Sequence, residues 1–253
     1  MNKKGNYGEE LSGMTIFTKE VYEIKKEYID ELYNGDVQIL IIRNSNKEDV
    51  KKFGELENQD LYHKKEVPIG TDGNDEDYVW QEEDMLWHND RAYLQDVHPF
   101  CGLYCITADE GSSPTYFCNS IESWKNLDSN LKNKIKEEGE VNFSVRNYFD
   151  RTNYPHDFRT PVYRRAFLMK SKAKHSMYRN DKFGEYIFFS PGYTSSENLE
   201  EIEKNIYKDE FIYTHNWKPN DLIVWNNFTT SHKRDHTPSH VDRRLLRYAF
   251  HSF

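Results

Sequence analysis

The sequence holds no run of about 18 consecutive apolar residues, so no stretch of it suits a membrane-spanning helix. Two lysines stand near the start, but no apolar core follows them, which argues against a secretory leader and sets the expectation of a cytoplasmic protein. Positive charge is in deficit too: 34 Lys and Arg against 43 Asp and Glu leave a formal net charge of −9. Such a surface does not neutralise phosphates broadly, so no nucleic-acid partner is expected. Cysteine is scarce, and Cys101, Cys105 and Cys118 are odd in number and never fall into C-x-x-C spacing. Buried reduced thiols fit that pattern better than a zinc site. Internal repeats and linker-like stretches are missing as well, and residues 1–253 read as one domain with a substantial core.

What is present is aromatic and strand-forming, with 15% Phe, Trp and Tyr. Val21, Ile24, Tyr28 and Leu32 share one helical face, which predicts a helix over 18–34 capped by Thr18 and stopped by Gly35. Val37 to Ile42 is a continuous apolar run suited to a strand covered on both faces. Ser45 and Glu48 form a capping-box pattern ahead of a short helix carrying Val50, Phe53 and Leu56. Periodicity vanishes over 64–84, where the acidic, turn-rich stretch from Gly70 to Asp77 reads as a loop beside the site. Cys101–Thr107 and Thr115–Cys118 flank a turn cluster and read as an antiparallel pair. Ile121, Trp124, Leu127, Leu131 and Ile135 mark a buried helical stripe. Residues 144–165 lack a period and read as a second stretch crossing near the site. Strands are expected at Val162–Met169, Tyr186–Ser190, Asp221–Trp225 and Arg244–Phe253, with a helix after Thr194 that turns Leu199, Ile202 and Ile206 inward. Many strands and few helices predict a mainly β sandwich or barrel with flanking helices.

The chemistry centres on Trp87-His88-Asn89-Asp90. Residues two apart on a strand point to the same side, so His88 and Asp90 can aim a nitrogen and a carboxylate oxygen at one cation. Alone, such a pair is more often a surface hydrogen bond. A third ligand must come from far away, and His232, downstream of the strand pattern ending at Trp225, is the candidate. Two histidines and a carboxylate with open positions form the facial triad of non-haem iron(II) oxygenases. His63, His98, His156, His175, His236, His240 and His251 read as solvent-facing or hydrogen-bonded core residues. Arg91 and Tyr93, just beyond Asp90, face either a substrate or the wall of the pocket.

The order of these residues resembles the taurine/2-oxoglutarate dioxygenase family of iron(II) enzymes. Tyr7 to Gly13 is similar to the family's opening Gly-x-Glu-Ile-x-Gly, and Trp87 to Asp90 is similar to its Trp-His-Thr/Ser-Asp. Thr115 falls where the family has Gly-Asp-Thr, and His215 to Asn227 follows its His-x-Trp-x-x-Gly-Asp-Leu-x-x-Trp-Asp-Asn. Arg243 and Arg247 follow His232 at the family's distances of eleven and fifteen residues. The resemblance implies a double-stranded β-helix (jelly roll, cupin-like) with iron(II) held by His88, Asp90 and His232, and with 2-oxoglutarate and O2 as co-substrates. It places the distal carboxylate of 2-oxoglutarate on Arg247 and Thr115, and Arg243 near the metal-bound end. The implied activity is hydroxylation or desaturation of a small, carboxylated or amino-acid-like metabolite in a biosynthetic pathway, with succinate and carbon dioxide released. A protein or peptide hydroxylase and a non-enzymatic metal-binding protein on the same fold remain open alternatives. Asp90 speaks against the halogenating relatives, which leave that position to a small residue. The chain departs from the pattern at Asn89, where a hydroxyl residue is usual, at Asn220 for glycine, and at Asn226 for aspartate. The first departure bears on the hydrogen bonds that orient the metal ligands.

Overall fold

The computed structural model describes residues 16–57, 65–70, 84–147 and 172–250. In chain order the first elements are β1 (Ile16–Val21), α1 (Lys26–Asn34), β2 (Val37–Ile42), a 3₁₀ turn (Lys47–Phe53), β3 (Glu66–Gly70), β4 (Met85–His88), β5 (Phe100–Ala108) and β6 (Thr115–Asn119). Two helices follow, α2 (Ser120–Asn126) and α3 (Ser129–Glu138), and then β7 (Glu140–Ser144), β8 (Lys172–Ser176), β9 (Tyr178–Asp181), β10 (Gly184–Ile187) and β11 (Thr194–Ser195). Next come α4 (Leu199–Ile206), β12 (Ile212–His215), β13 (Leu222–Asn226), β14 (Thr230–Arg234) and β15 (Arg243–Phe250).

Two sheets build the jelly roll. The larger has the order β1-β2-β13-β5-β15-β3, and the smaller β12-β6-β14-β4. Between them pack Ile39, Ile41, Cys101, Leu103, Cys105, Phe117, Ile223, Trp225 and Leu245. The opposite face of the large sheet, with Leu40, Ile42, Leu222, Val224, Leu246 and Phe250, is covered by Leu32 of α1 and by Val50 and Phe53 of the 3₁₀ turn. Every residue of β2 is therefore buried, Gln38 included, whose amide donates to the Gly35 carbonyl at 2.9 Å. Each such aliphatic side chain contributes about 1.5–3 kcal/mol from burial. The three cysteines are free and buried, and burial pushes the Cys105 and Cys118 thiols up to about 12.

Several elements differ from the expectation. The helix expected over 18–34 starts at Lys26, because β1 occupies the segment before it and pairs in parallel with β2 from Ile16↔Val37 to Val21↔Ile42. Cross-strand pairing there outweighs a helical spacing in which Val21 is only accidentally in phase. Gly35 does end α1, at φ 88°, and its N–H bonds the carbonyls of Glu31 and Leu32. The cap of the 3₁₀ turn is Asn46 rather than Ser45, with Asp49 accepting from the Asn46 N–H at 2.9 Å. Inside the expected loop 64–84 lies β3, an edge strand that tolerates Pro68 because β15 pairs it on one side only. β5 and β6 do not pair with each other: β5 lies between β13 and β15, whereas β6 lies between β12 and β14. The turn cluster between them carries the chain from one sheet to the other. The Tyr7–Gly13 motif, residues 71–83, the strand expected at Val162–Met169, most of 144–165, and His63, His156 and His251 lie outside the described residues. Among the described residues no helix is long and apolar enough to cross a membrane.

Candidate active site

β4 and β14 are antiparallel neighbours with His88 and His232 directly opposite in register, so their rings meet at 4.2 Å between centroids. His232 also packs edge-on to Trp225 at 4.9 Å and over Phe117 at 6.0 Å, which fixes its plane. Asp90 is not on the strand; it lies in the turn after β4. Its proximity comes from that turn rather than from strand alternation. Asp90 Oδ1 stands 3.5 Å from His88 Nε2 and 3.8 Å from His232 Nε2, and the donor atoms of all three residues lie within 4.8 Å of one another. Octahedral bonds of about 2.1 Å set adjacent donors about 3 Å apart, so a small contraction would let one ion bind all three.

The protonation states suit a cation. His88 Nδ1 donates to the Leu86 carbonyl at 2.7 Å, which turns Nε2 toward Asp90. Burial, reinforced by His88, drives the His232 pKa down to about 3, so this imidazole is neutral. Its Nδ1 is buried without a hydrogen-bond partner. Burial alone would raise the Asp90 carboxyl, but the Arg247 guanidinium beside it holds it well below the usual carboxylate range. Two imidazole nitrogens and one carboxylate oxygen form a donor set that fits iron(II) with positions left over.

A second polar group lies deeper between the sheets. Thr115 Oγ1 accepts from Trp217 Nε1 at 2.9 Å and from Arg243 Nη2 at 3.3 Å. With both lone pairs taken, the hydroxyl has its proton left to give. Arg243 also donates through Nε to the Ser113 carbonyl at 3.2 Å. Arg247 instead donates through Nε to Asp90 Oδ2 at 2.8 Å. Of the two arginines that the resemblance assigns to the co-substrate, Arg243 is thus the one against Thr115, and Arg247 the one against Asp90. Both arginines share one face of β15, and depth in the barrel decides which reaches which partner.

The sequence model of the taurine catabolism dioxygenase TauD, TfdA family matches residues 7–249. This chain belongs to that family. Among curated relatives it is 21% identical over 154 residues to an alpha-ketoglutarate-dependent 2,4-dichlorophenoxyacetate dioxygenase of a Burkholderia strain, covering 59% of this chain and 52% of the relative. It is 24% identical over 185 residues to a tyrosine isonitrile desaturase of Pseudomonas aeruginosa, covering 70% and 62%. The matched part thus spans less than two thirds of either relative. Among solved structures, AAD-2 in complex with Mn(II) and N-oxalylglycine superposes with a TM-score of 0.72 at 18% identity, covering 93% of this chain and 95% of that one. That likeness shows the shared jelly-roll fold.

The TauD-type frame also places residues that the sequence left ambiguous or silent. Arg91 sits at φ 58°, and its guanidinium turns onto His98, whose Nε2 is 2.5 Å from a Glu57 carboxylate oxygen. Its guanidinium thus lies against a buried group of the pocket wall. Tyr93 is buried and meets Tyr193 edge-on at 5.2 Å, while Tyr193 stands edge-on to His88 at 6.2 Å. Arg234, two residues past His232 and opposite Thr115 in register, is also buried. Strand alternation puts it on the same face as His232, a signal present in the sequence. Ser190 and Asn227 hold the turn at 89–90; Asn227 is the last residue of the matched His215–Asn227 motif, but only the fold shows what it holds.

Proposed function

We propose that this chain is an iron(II)- and 2-oxoglutarate-dependent dioxygenase that hydroxylates or desaturates a C–H bond of a small carboxylated or amino-acid-like metabolite, with succinate and carbon dioxide as co-products. The observation that carries this reading is the meeting of His88, Asp90 and His232 in one buried cluster, with two of them opposed in register on neighbouring strands. In this proposal His88 and His232 hold the metal through Nε2 and Asp90 holds it through Oδ1. Bound iron(II), with 2-oxoglutarate and oxygen, supplies the oxidising chemistry. The protein's own groups bind, orient and neutralise.

Arg243 and Thr115 would receive the distal carboxylate of 2-oxoglutarate. Burial and the adjacent Arg234 charge push the Arg243 pKa well down, and an arginine does not escape that stress by losing its proton. A carboxylate between the sheets relieves it, and the planar guanidinium can hold both oxygens. Arg247 keeps Asp90 ionised and fixes one of its oxygens, so that the other faces the histidines. The Tyr93–Tyr193 pair beside His88 supplies an apolar wall, which supports a flat or aromatic substrate body. Two relatives whose names include dichlorophenoxyacetate and tyrosine isonitrile are consistent with a ring-bearing substrate.

The test is iron-dependent succinate formation from 2-oxoglutarate, run with a panel of aromatic and amino-acid-like acids and read alongside oxygen uptake. Some member of the panel should stimulate both, and His88→Ala should abolish them. Succinate formation that survives in His88→Ala would remove the basis of the proposal.

A further inference from the structure

We propose that Asn89, the residue between His88 and Asp90, is a positioning residue whose amide bolts the turn after β4 to the connection that carries the chain from β13 in one sheet to β14 in the other, and thereby sets the spacing of the metal donors. This inference rests on the metal site proposed above. Asn89 is fully buried. Its Nδ2 donates to the Asn227 carbonyl at 2.7 Å and to the Thr230 carbonyl at 3.3 Å. Both carbonyls belong to the connection that leads directly into His232. Its Oδ1 accepts from Ser190 Oγ at 3.0 Å, and that oxygen accepts in turn from the Asn89 N–H at 2.8 Å. Ser190 is itself held, since its carbonyl accepts from Thr194 Oγ1 at 2.9 Å.

Asn227 returns the grip. Its Oδ1 accepts from the Asp90 N–H at 2.8 Å, and its Nδ2 donates to the Asp90 carbonyl and to the His98 carbonyl, both at 2.9 Å. The two carboxamides form a reciprocal clasp in which Asn89 holds the backbone of 227 while Asn227 holds the backbone of 90. One half of the metal site cannot shift relative to the other without breaking buried hydrogen bonds, each of which leaves a desolvated group behind.

The residue type matters. A carboxamide offers two diverging protons and an acceptor, and all three are used here. Serine or threonine, the usual family residues, have a single proton on a shorter arm and can satisfy only one of the two carbonyls. Aspartate would face them with oxygen alone. At this position the amide makes contacts that a hydroxyl residue could make only in part.

The experiment measures Mn(II) affinity from the electron paramagnetic resonance signal of the free ion, using the whole chain and its Asn89→Ala, Asn89→Thr and Ser190→Ala variants, with folding checked by circular dichroism. Asn89→Ala should weaken Mn(II) binding roughly 10- to 100-fold, as removal of groups that orient metal ligands does elsewhere. Asn89→Thr should fall between it and the parent. A purely structural amide would lower the unfolding midpoint yet leave the affinity of the folded protein unchanged. Affinity within twofold of the parent in Asn89→Ala overturns the proposal. Should that variant not fold, parental affinity in both Asn89→Thr and Ser190→Ala overturns it equally. A parent chain that binds no Mn(II), or a His88→Ala variant that binds it as tightly as the parent, defeats the metal site itself and this inference with it.

Discussion

Arg243 and Arg247 lie on the same inward face of β15, four residues and so roughly 13 Å apart along the strand. They meet different partners and should fail differently. Arg243→Gln removes a charge-assisted contact worth about 1.5–3 kcal/mol in all and should weaken 2-oxoglutarate binding to the Mn(II)-loaded protein by about 10- to 100-fold in calorimetry. Thr115→Val loses one neutral hydrogen bond of about 0.5–1.5 kcal/mol and should weaken it about 3- to 10-fold. Arg247→Gln should act first on Mn(II) affinity, since Asp90 loses the cation that keeps it ionised and aimed. The opposite ranking, with Arg247→Gln the more damaging to 2-oxoglutarate, would restore the pairing expected from the resemblance.

At the scale of elements, the edge strand β3 supports the strand that carries both arginines. Gly70 lies opposite Arg244, and a Cβ there would strike the Arg243 carbonyl. That obstacle is backbone and cannot swing aside. Gly70→Ala should therefore cost about 1–3 kcal/mol of stability in urea unfolding. It should also weaken 2-oxoglutarate binding, because relief of the clash moves Arg243 away from Thr115. Lost stability with unchanged co-substrate affinity would mean that β3 yields and β15 stays in place.

For the molecule as a whole, pH and metal should both move stability. His215 is buried against Asp221 Oδ2 at 3.1 Å, and Asp221 in turn meets Arg43 Nη1 at 2.5 Å. Burial lowers the His215 pKa, although the Asp221 hydrogen bond opposes it. The unfolded chain therefore binds more protons than the folded one just below the ordinary histidine value of about 6.5. Stability is fully present above that pH and falls as pH drops towards the lower folded value, by at most about 1.4 kcal/mol per unit from this group. His175, shifted down chiefly by burial, adds in the same direction. Urea midpoints should decline from pH 7 to pH 5, and less steeply in His215→Gln; equal slopes would exclude His215 as a source. Mn(II) at a hundred times its dissociation constant should add about 2.7 kcal/mol and raise Tm by about 5–10 °C. His232→Ala should lose that rise.

The single-chain pattern is enough to recognise β2 by its mostly apolar run and the stop of α1 at Gly35, and, through ordered resemblance, to single out His88, Asp90, His232, Thr115, Arg243 and Arg247 as candidates. Periodicity reports which face a side chain takes, and residue type reports what it can ligate or donate. Neither names the partner. Only the folded chain decided that β5 and β6 belong to different sheets, that β3 becomes a strand at all, and that Arg243 rather than Arg247 reaches Thr115. Asp90 owes its place to Asn227, 137 residues away, so the geometry of the His88, Asp90 and His232 cluster is set by long-range hydrogen bonds whose energies exist only once the two sheets have closed on each other.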